Sequence, residues 1–264
     1  MDIAGLLDAL ERLAPTALAE EWDNVGLIVG RRDHAVTHVL VALDLRQAVL
    51  DEAGAVGAEA VLVHHPPIFP SLAAVSDASS TGALVLGAIE RGIAVVAAHT
   101  NLDSARGGLN HHMAELLGLR EAVPLVPDRD DATAGLGRVG ACALQPFADV
   151  VSELARAVPG PVIWTGDPTA EIARIACCTG SGASFIDAAR AHGADAYVTS
   201  DLKYHDAERA PGLGLIGVPH GQVEALMLER WFPELGAALA PVGVEVTLAG
   251  AATDPWRTAA PAPL

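Results

Sequence analysis

The feature that most constrains the fold is an internal repeat at a fixed spacing. The segment "GAEAVLVHH" (57–65) superposes without a gap on "GADAYVTSD" (193–201), a spacing of 136 residues, so that His65 corresponds to Asp201. Two further pairs share this spacing: "VLVAL" (39–43) with "IACCT" (175–179), and Asp51 with Asp187. A chain that repeats itself in this way is expected to contain two related halves.

A second match follows the first in the same order after one small insertion. "AVVAAHTNLD" (94–103) and "LIGVPHGQVE" (215–224) are both apolar strands that end in a histidine, and a carboxylate follows that histidine four residues later. The pairs His99 with Asp103 and His220 with Glu224 are therefore equivalent. Two ordered matches that both end in metal-type ligands strengthen the interpretation as a repeat.

Apolar runs alternate with helical patterns along the chain. We expect strands in "HVLVALDL" (38–45), "EAVLVHH" (59–65) and "GIAVVAAH" (92–99), with helices at 46–56, 82–91 and 108–118. Near-continuous apolar strands separated by helices indicate mainly parallel sheets covered on both faces.

The predicted fold class is α/β, with two similar lobes and an internal pseudo-repeat. We place the first lobe at 1–126, a linker rich in Asp and Gly at 127–137, and the second lobe at 138–264.

Charge and composition exclude several classes of protein. The net charge is −17, which disfavours binding to nucleic acid, because phosphate backbones reward clustered Lys and Arg. No apolar stretch reaches the roughly 18 residues of a membrane span. The amino-terminal segment "MDIAGLLDALERLAP" is predicted to be an amphipathic helix rather than a signal peptide, since it lacks a basic start. We therefore expect a soluble cytoplasmic protein with no nucleic-acid and no membrane partner.

The doublet of His64 and His65 marks the end of one predicted strand. Pro66 biases His65 away from helical geometry, and Pro67 ends any hydrogen-bonded ladder. Neighbouring side chains of a regular strand point to opposite faces. At a strand end that breaks in this way, each imidazole could serve a different ion, which suggests two metals rather than one.

The other polar residues of this kind also follow strands, where ligands bind in open parallel sheets. They are His99, Asp103, Asp201, His205, His220 and Glu224. His220 and Glu224 are spaced i and i+4, neighbours on one face of a helix. Imidazole with carboxylate suits Zn, Fe, Mn or Ni, and the lack of thiolate argues against a structural zinc cage. Such an open site can lower the pKa of a bound water to about 7.

Two further segments have alternative interpretations. "TGSGAS" (179–184) is either an anion-binding turn before a helix or, as its match to "LDLRQA" (43–48) favours, an ordinary strand-to-helix turn. "EEWDNVGLIVG" (20–30) is compatible with a turn that leads into a strand, and its residue types alone assign it no chemistry. It lacks the lysine and spacing of a phosphate-binding loop.

Five segments in sequence order closely resemble the Nif-three-like family of dinuclear-metal hexameric proteins, often labelled GTP cyclohydrolase 1 type 2 homologues. They are "EEWDNVGLIVG" (20–30), "VLVHHPPIF" (61–69), "AAHTNLDSARGGLN" (97–110), "TSDLKYHDA" (199–207) and "PHGQVE" (219–224). Two departures concern the fit of a substrate. Pro219 stands where the family usually has Gly before the last histidine, and Ser200 replaces the Gly of the usual "TGD".

The resemblance implies a pair of divalent metal ions (Zn, Fe, Mn or Ni) in the cleft between the lobes. The implied metal ligands are His64, His65, Asp103, His220 and Glu224, with Glu224 bridging. His99, Asp201 and His205 match positions that line the family's site, and we assign them as candidates for proton transfer or for support of the ligands.

The resemblance also implies a function and an assembly. The favoured hypothesis is a metal-dependent hydrolase that uses metal-activated water on a nucleotide or related small molecule, within a homohexamer that forms a toroid. The alternative is a non-catalytic, metal-binding regulatory or scaffold protein that forms the same hexamer.

Overall fold

The computed structural model of the protein describes residues 1–69 and 71–257. Strands and helices alternate through the first part of the chain, as the apolar runs predict. The elements, in chain order, are α1 (Ile3–Leu13), β1 (Gly26–Val29), β2 (His38–Asp44), α2 (Gln47–Val56), β3 (Ala60–His65), α3 (Ser80–Arg91), β4 (Ala94–Ala97), α4 (Thr100–Ser104) and α5 (Leu109–Leu116).

The second part begins with two long strands, and the longest of the described helices precedes its last strand. Its elements are β5 (Arg120–Pro127), β6 (Gly135–Pro146), α6 (Phe147–Ala157), β7 (Ile163–Thr165), β8 (Glu171–Cys177), α7 (Ile186–Ala191), β9 (Ala196–Thr199), α8 (Tyr204–Glu208), β10 (Gly214–Gly217), α9 (His220–Leu239) and β11 (Glu245–Leu248). Short 3-10 turns lie at Thr16–Leu18, Ala183–Phe185 and Ala240–Val242. In the described residues no helix is both long and apolar enough to cross a membrane.

The described strands form two sheets. The first has the order β1-β4-β3-β2-β11, with parallel pairing from β4 to β11 and β1 antiparallel at the edge. The second has the order β5-β6-β8-β9-β10-β7, in which only β8, β9 and β10 pair in parallel. The fold is therefore mixed α/β. The prediction of mainly parallel sheets is right for the first sheet and wrong for the second.

The chain divides into two compact units, and each unit contains one sheet. The first consists of Met1–Leu109 and Met227–Thr253, because β11 pairs with β2 and so returns the end of the chain to the first sheet. The second consists of Asn110–Leu226 and residues 254–257. The predicted linker, 127–137, forms the turn between β5 and β6 with parts of both strands. The lobe boundaries expected from the sequence, 1–126 and 138–264, stay a prediction.

Burial explains the apolar composition of the central strands. Five consecutive residues of β2, residues 39–43, are almost fully buried, as are the first five of β3. Helix α2 contributes Val49, Leu50 and Ala53 to the same core. Because both faces of these strands are covered, polar side chains are confined to the strand ends, where the chain leaves the core.

A carboxylate fixes the start of the parallel ladder in each unit. Glu59 accepts hydrogen bonds from the backbone N–H groups of Thr37 and His38, both at 3.0 Å. Asp195 accepts hydrogen bonds from the backbone N–H groups of Ala173 and Arg174, at 2.9 and 2.8 Å. Each carboxylate lies just before one parallel strand and binds the two residues that precede the first parallel pair in the neighbouring strand.

Replacing Glu59 with Gln is expected to lower the free energy of unfolding by about 1 kcal/mol at pH 7, after allowance for solvent screening. Burial alone would raise the pKa of Glu59, but the hydrogen bonds from Thr37 and His38 outweigh it and lower the pKa. A lowered pKa means that this stabilisation is present above the pKa of the unfolded chain. It is lost as the pH falls through the folded-state pKa.

Urea unfolding at pH 7 and at pH 3 measures this difference. The Glu59→Gln variant should be less stable than the wild type at pH 7 and nearly equal to it in acid. Glu90→Gln, at an exposed position of α3, is the control and should match the wild type at both values. If the stability difference between Glu59→Gln and the wild type grew in acid, the stabilising role of the ionised Glu59 carboxylate would be contradicted.

Candidate metal site

His64 and His65 end strand β3 in the first unit. The strand is buried as far as His64, which is 1% exposed, and His65 is partly exposed. Their ring centroids lie 5.1 Å apart with an interplanar angle of 45°. The strand ends at His65, before Pro66, and the two rings approach one another rather than taking the opposite faces of a continuing strand.

The protein holds both rings through Nδ1. His64 Nδ1–H donates to the carbonyl oxygen of Ala98 at 2.9 Å, and His65 Nδ1–H donates to Asp44 Oδ1 at 2.9 Å. Burial alone would raise the pKa of Asp44, but the hydrogen bond and the charge of His65 contribute to an overall lowering. Asp44 lies at the end of β2 and pairs in register with His65. Adjacent parallel strands therefore bring the carboxylate to the imidazole.

His99 is held in the same way by a residue from the amino-terminal segment. Its Nδ1–H donates to Asp23 Oδ1 at 2.9 Å, and the side chain of Asp23 is fully buried. The other oxygen, Oδ2, accepts hydrogen bonds from the backbone N–H and the hydroxyl of Thr100. Burial alone would raise the pKa of Asp23, but the hydrogen bonds from His99 and Thr100 hold it well below its usual range.

The three imidazoles converge. One ring nitrogen from each of His64, His65 and His99 lies within 4.8 Å of the other two. Asp103, which is 7% exposed, places Oδ1 at 3.8 Å from His64 Nε2. Helix α4 begins directly after His99, so its first turn carries Asp103 back toward the end of β3. The first unit thus brings four of the predicted site residues close together, namely His64, His65, His99 and Asp103.

The chemistry of this donor set fits a divalent transition metal. A histidine that binds a metal usually donates its other ring N–H to a carboxylate or a backbone carbonyl, which fixes the tautomer and the ring orientation. All three imidazoles show this arrangement, which leaves Nε2 as the ring atom that can bind an ion or exchange a proton. Separations below 4.8 Å are compatible with one ion, or with two ions about 3.5–4 Å apart.

The second unit gathers a smaller set at the start of α9. His220 Nδ1 lies 2.6 Å from Asp201 Oδ2, and His220 Nε2 lies 3.0 Å from Glu224 Oε2. The two carboxylates, with Glu224 contributing most, raise the pKa of His220 to about 9 against the opposing effect of burial. Asp201 has a φ of +55°, a left-handed conformation that few residues other than glycine adopt. The distance between His220 and Glu224 confirms that the i, i+4 spacing brings these two side chains together.

The turn after β8 packs against this set. Gly180 has a φ of +68°, and a Cβ atom at this position would lie 2.6 Å from Glu224 Oε1 and 3.7 Å from His220 Nε2. The backbone N–H of Thr179 donates to Asn110 Oδ1 at 2.8 Å, and the carbonyl oxygen of Gly180 accepts from Ser200 N at 3.0 Å. The "TGSGAS" turn thus uses a glycine where the backbone closely approaches a proposed ligand.

His205 lies apart from the other candidates of its unit. Its side chain is 83% exposed, and among the described residues Nδ1 pairs with Glu208 Oε2 at 2.8 Å rather than with Asp201 or His220. Helix α8 presents it to solvent.

The sequence analysis did not identify three residues of these sets as part of the site. They are Asp23, Asp44 and Gly180. Asp44 had a usable signal, because it ends the strand next to that of His65.

A family model described as "Duf34/NIF3 (NGG1p interacting factor 3)" matches residues 1–255 of the chain. Two similar proteins bear the name GTP cyclohydrolase 1 type 2 homolog. The one from Clostridium perfringens is 32% identical over 261 residues, covering 97% of this chain and 99% of its own length. The one from Streptomyces coelicolor is 35% identical over 267 residues, covering 96% and 93%.

Solved structures show the same fold. A Bacillus cereus protein related to NIF3 superposes with a TM-score of 0.91 and 23% identity, covering 98% of this chain and 99% of its own. At that identity the likeness establishes the architecture and no more.

Proposed function

The chain belongs to the Duf34/NIF3 family, and on that premise we propose that it is a dinuclear metal-dependent hydrolase acting on a nucleotide or related small molecule. One observation carries the proposal. Three imidazoles converge in the first unit, and a protein oxygen holds each of them through Nδ1. Orientation of this kind is typical of imidazoles that bind a metal or exchange a proton, and it is unnecessary for packing.

The proposed centre holds two ions, of Zn, Fe, Mn or Ni. As the family resemblance implies, the residues that would hold these ions are His64, His65, Asp103, His220 and Glu224. Bound divalent ions would supply Lewis acidity, which lowers the pKa of a coordinated water to about 7 and polarises the bond under attack.

The protein's own groups orient the ligands and move protons. Asp44 and the carbonyl of Ala98 fix the rings of His65 and His64, and Asp201 fixes that of His220. His99 is the proposed proton carrier, and Nε2 is the atom that accepts or donates, because Asp23 occupies Nδ1. His205 is a weaker candidate for this role, since its exposed ring pairs with Glu208.

The proposal includes a duplicated architecture and a toroidal homohexamer. Strand order supports the duplication, because β1-β4-β3-β2 and β7-β10-β9-β8 have the same pattern of one antiparallel edge and three parallel strands. The registers agree as well: Val39 pairs with Ala60, and Ile175 pairs with Ala196, at the spacing of 136 found in the sequence. The hexamer rests on the family resemblance alone.

Elemental analysis of the untreated, purified protein tests the metal centre. We expect about two divalent ions per chain, and fewer in His64→Ala, which removes a ligand. His111→Ala is the matched control, because this partly exposed histidine lies beside Glu115 in a helix, and it should keep the wild-type content. A stoichiometry of zero or one in the wild type would exclude the bridging role of Glu224.

Turnover is tested separately on the metal-loaded protein. A panel of nucleoside triphosphates, cyclic nucleotides and phosphate esters should include at least one substrate whose hydrolysis His64→Ala abolishes. The absence of hydrolysis across the panel, with two ions bound, would instead favour the non-catalytic scaffold.

A further inference from the structure

Two exposed aromatic side chains stand beside the three-histidine cluster. The chain has only 4 Trp, 4 Phe and 2 Tyr, yet Trp22 is 56% exposed and Phe69 is 54% exposed. Their ring centroids lie 5.7 Å apart at an interplanar angle of 75°, and the ring of Trp22 lies 6.2 Å from that of His99 at 72°. We call Trp22 and Phe69 the aromatic corner.

The loops that carry the aromatic corner are fixed to one another. Asn24 Nδ2 donates to the carbonyl oxygen of Ile68 at 2.8 Å, which joins the loop of Trp22 to the loop of Phe69. Ile68 packs against the apolar core of the first unit. Each aromatic residue therefore has a neighbour in the chain that is anchored, although its own ring faces solvent.

The loop of Trp22 is also fixed to the cluster. Asp23 binds His99 and Thr100, and the backbone N–H of Glu20 donates to Thr100 Oγ1 at 3.0 Å. Exposed aromatic rings on anchored loops are preorganised for contact, because little conformational entropy is lost when a ligand packs against them. The aromatic corner is therefore suited to bind a ligand, because its rings are exposed and its loops are already fixed in place.

We propose that Trp22 and Phe69 bind an uncharged, planar heteroaromatic ring of the substrate and hold it next to His99. The inference rests on the proposed function and adds a substrate class and two specificity-determining residues. Tryptophan offers a wide apolar face on which a flat ring stacks. Glu20 and Glu21, both exposed, precede Trp22 and disfavour an anionic group at this position.

Calorimetric titration of the metal-loaded protein with guanosine tests the proposal, with ribose as the ligand that lacks the ring. We expect guanosine to bind and ribose not to bind. Trp22→Ala and Phe69→Ala should each weaken guanosine binding, about tenfold for Trp22, and Trp22→Phe should retain most of the affinity. Metal content and thermal unfolding should stay at wild-type values, which a merely structural role would not predict.

Trp164→Ala is the matched control. Trp164 is 46% exposed and packs against Phe147 in a similar T-shaped pair, with centroids 5.8 Å apart at 80°, in the second unit. This variant should bind guanosine as the wild type does. Equal loss in Trp164→Ala and Trp22→Ala would contradict a specific role for the aromatic corner.

Three other results would overturn the proposal. They are no binding of millimolar guanosine to the wild type, wild-type affinity in both Trp22→Ala and Phe69→Ala, or a change of oligomeric mass in these variants with guanosine binding intact. The last result would identify the aromatic corner as a contact between subunits. Binding through Trp22 to a chain that holds no metal would contradict the proposed function alone.

Discussion

Gly180→Ala is expected to displace the carboxylate of Glu224 and to lower the metal content of the protein, whereas Gly193→Ala is not. Both glycines have a φ of +68°, so an alanine at either position costs a similar amount of backbone strain, about 1 kcal/mol. Their surroundings differ. A Cβ atom at Gly180 would lie 2.6 Å from Glu224 Oε1, but at Gly193 no heavy atom of the described neighbours lies within 4 Å.

The backbone of Gly180 cannot easily move away from this collision. Its carbonyl oxygen accepts hydrogen bonds from the backbone N–H of Ser200 and the hydroxyl of Thr199, both at 3.0 Å. The carboxylate of Glu224, which belongs to a residue only 2% exposed, must therefore shift. Thermal unfolding and elemental analysis of both variants separate the shared strain from the collision. If Gly180→Ala retained full metal content, Glu224 would not be a ligand.

Asp23→Asn is expected to lower the free energy of unfolding by about 3 kcal/mol and to misorient the ring of His99, the proposed proton carrier. Every group bound to this buried carboxylate is a donor, namely the ring N–H of His99, the N–H and hydroxyl of Thr100, and the N–H of Asn24. A carboxylate can accept all of them. An amide has only one accepting oxygen, and its NH2 group would face a donor.

The control for this variant is Asp167→Asn. Asp167 also accepts the backbone N–H and the hydroxyl of a threonine, Thr169, but it is exposed to solvent, where water replaces lost partners. Urea unfolding should show a large loss for Asp23→Asn and almost none for Asp167→Asn. A loss for Asp23→Asn below about 1 kcal/mol would mean that the amide is accommodated, and that His99 does not depend on the charge.

The central strands of the first unit were predictable because burial acts locally on sequence. The runs 38–45 and 59–65 have uninterrupted apolar centres, at 39–43 and 60–63, since both faces of β2 and β3 are covered there, and the structure confirms both runs as strands. The pairing of β11 with β2 was not predictable. It joins Glu245–Leu248 to a strand about 200 residues earlier, and no local pattern encodes so distant a partner.

The second sheet shows the same limit. β5 and β6 are antiparallel strands joined by a short turn, and the Asp- and Gly-rich composition of that turn is equally typical of a linker between lobes. Composition identifies a place where the chain reverses or becomes irregular. It does not say whether the strands on either side belong to one sheet.

For the candidate site, the sequence identified the groups at strand ends, including Asp201 beside His220, but not Asp23 and Asp44, which hold two of the other histidines. His64 and His65 could be found because a doublet before two prolines is unusual. Asp23 could not, since its role depends on hydrogen bonds to His99 and Thr100, more than 70 residues away. A residue that orients a histidine needs only one acceptor atom within hydrogen-bond distance of the ring. That requirement produces no periodic pattern in the sequence.

The paired carboxylates Glu59 and Asp195 have a consequence for how the proposed metal centre would acquire its ions. They fix the start of the parallel ladders, and the apolar cores fix the rest, so the strand ends are set by contacts that involve no metal. Folding then does not select an ion, in contrast to a zinc finger, whose fold requires one. Which metal occupies the proposed centre in a cell would then follow the supply and exchange of metals there, and the growth medium would change the bound ion without changing the fold.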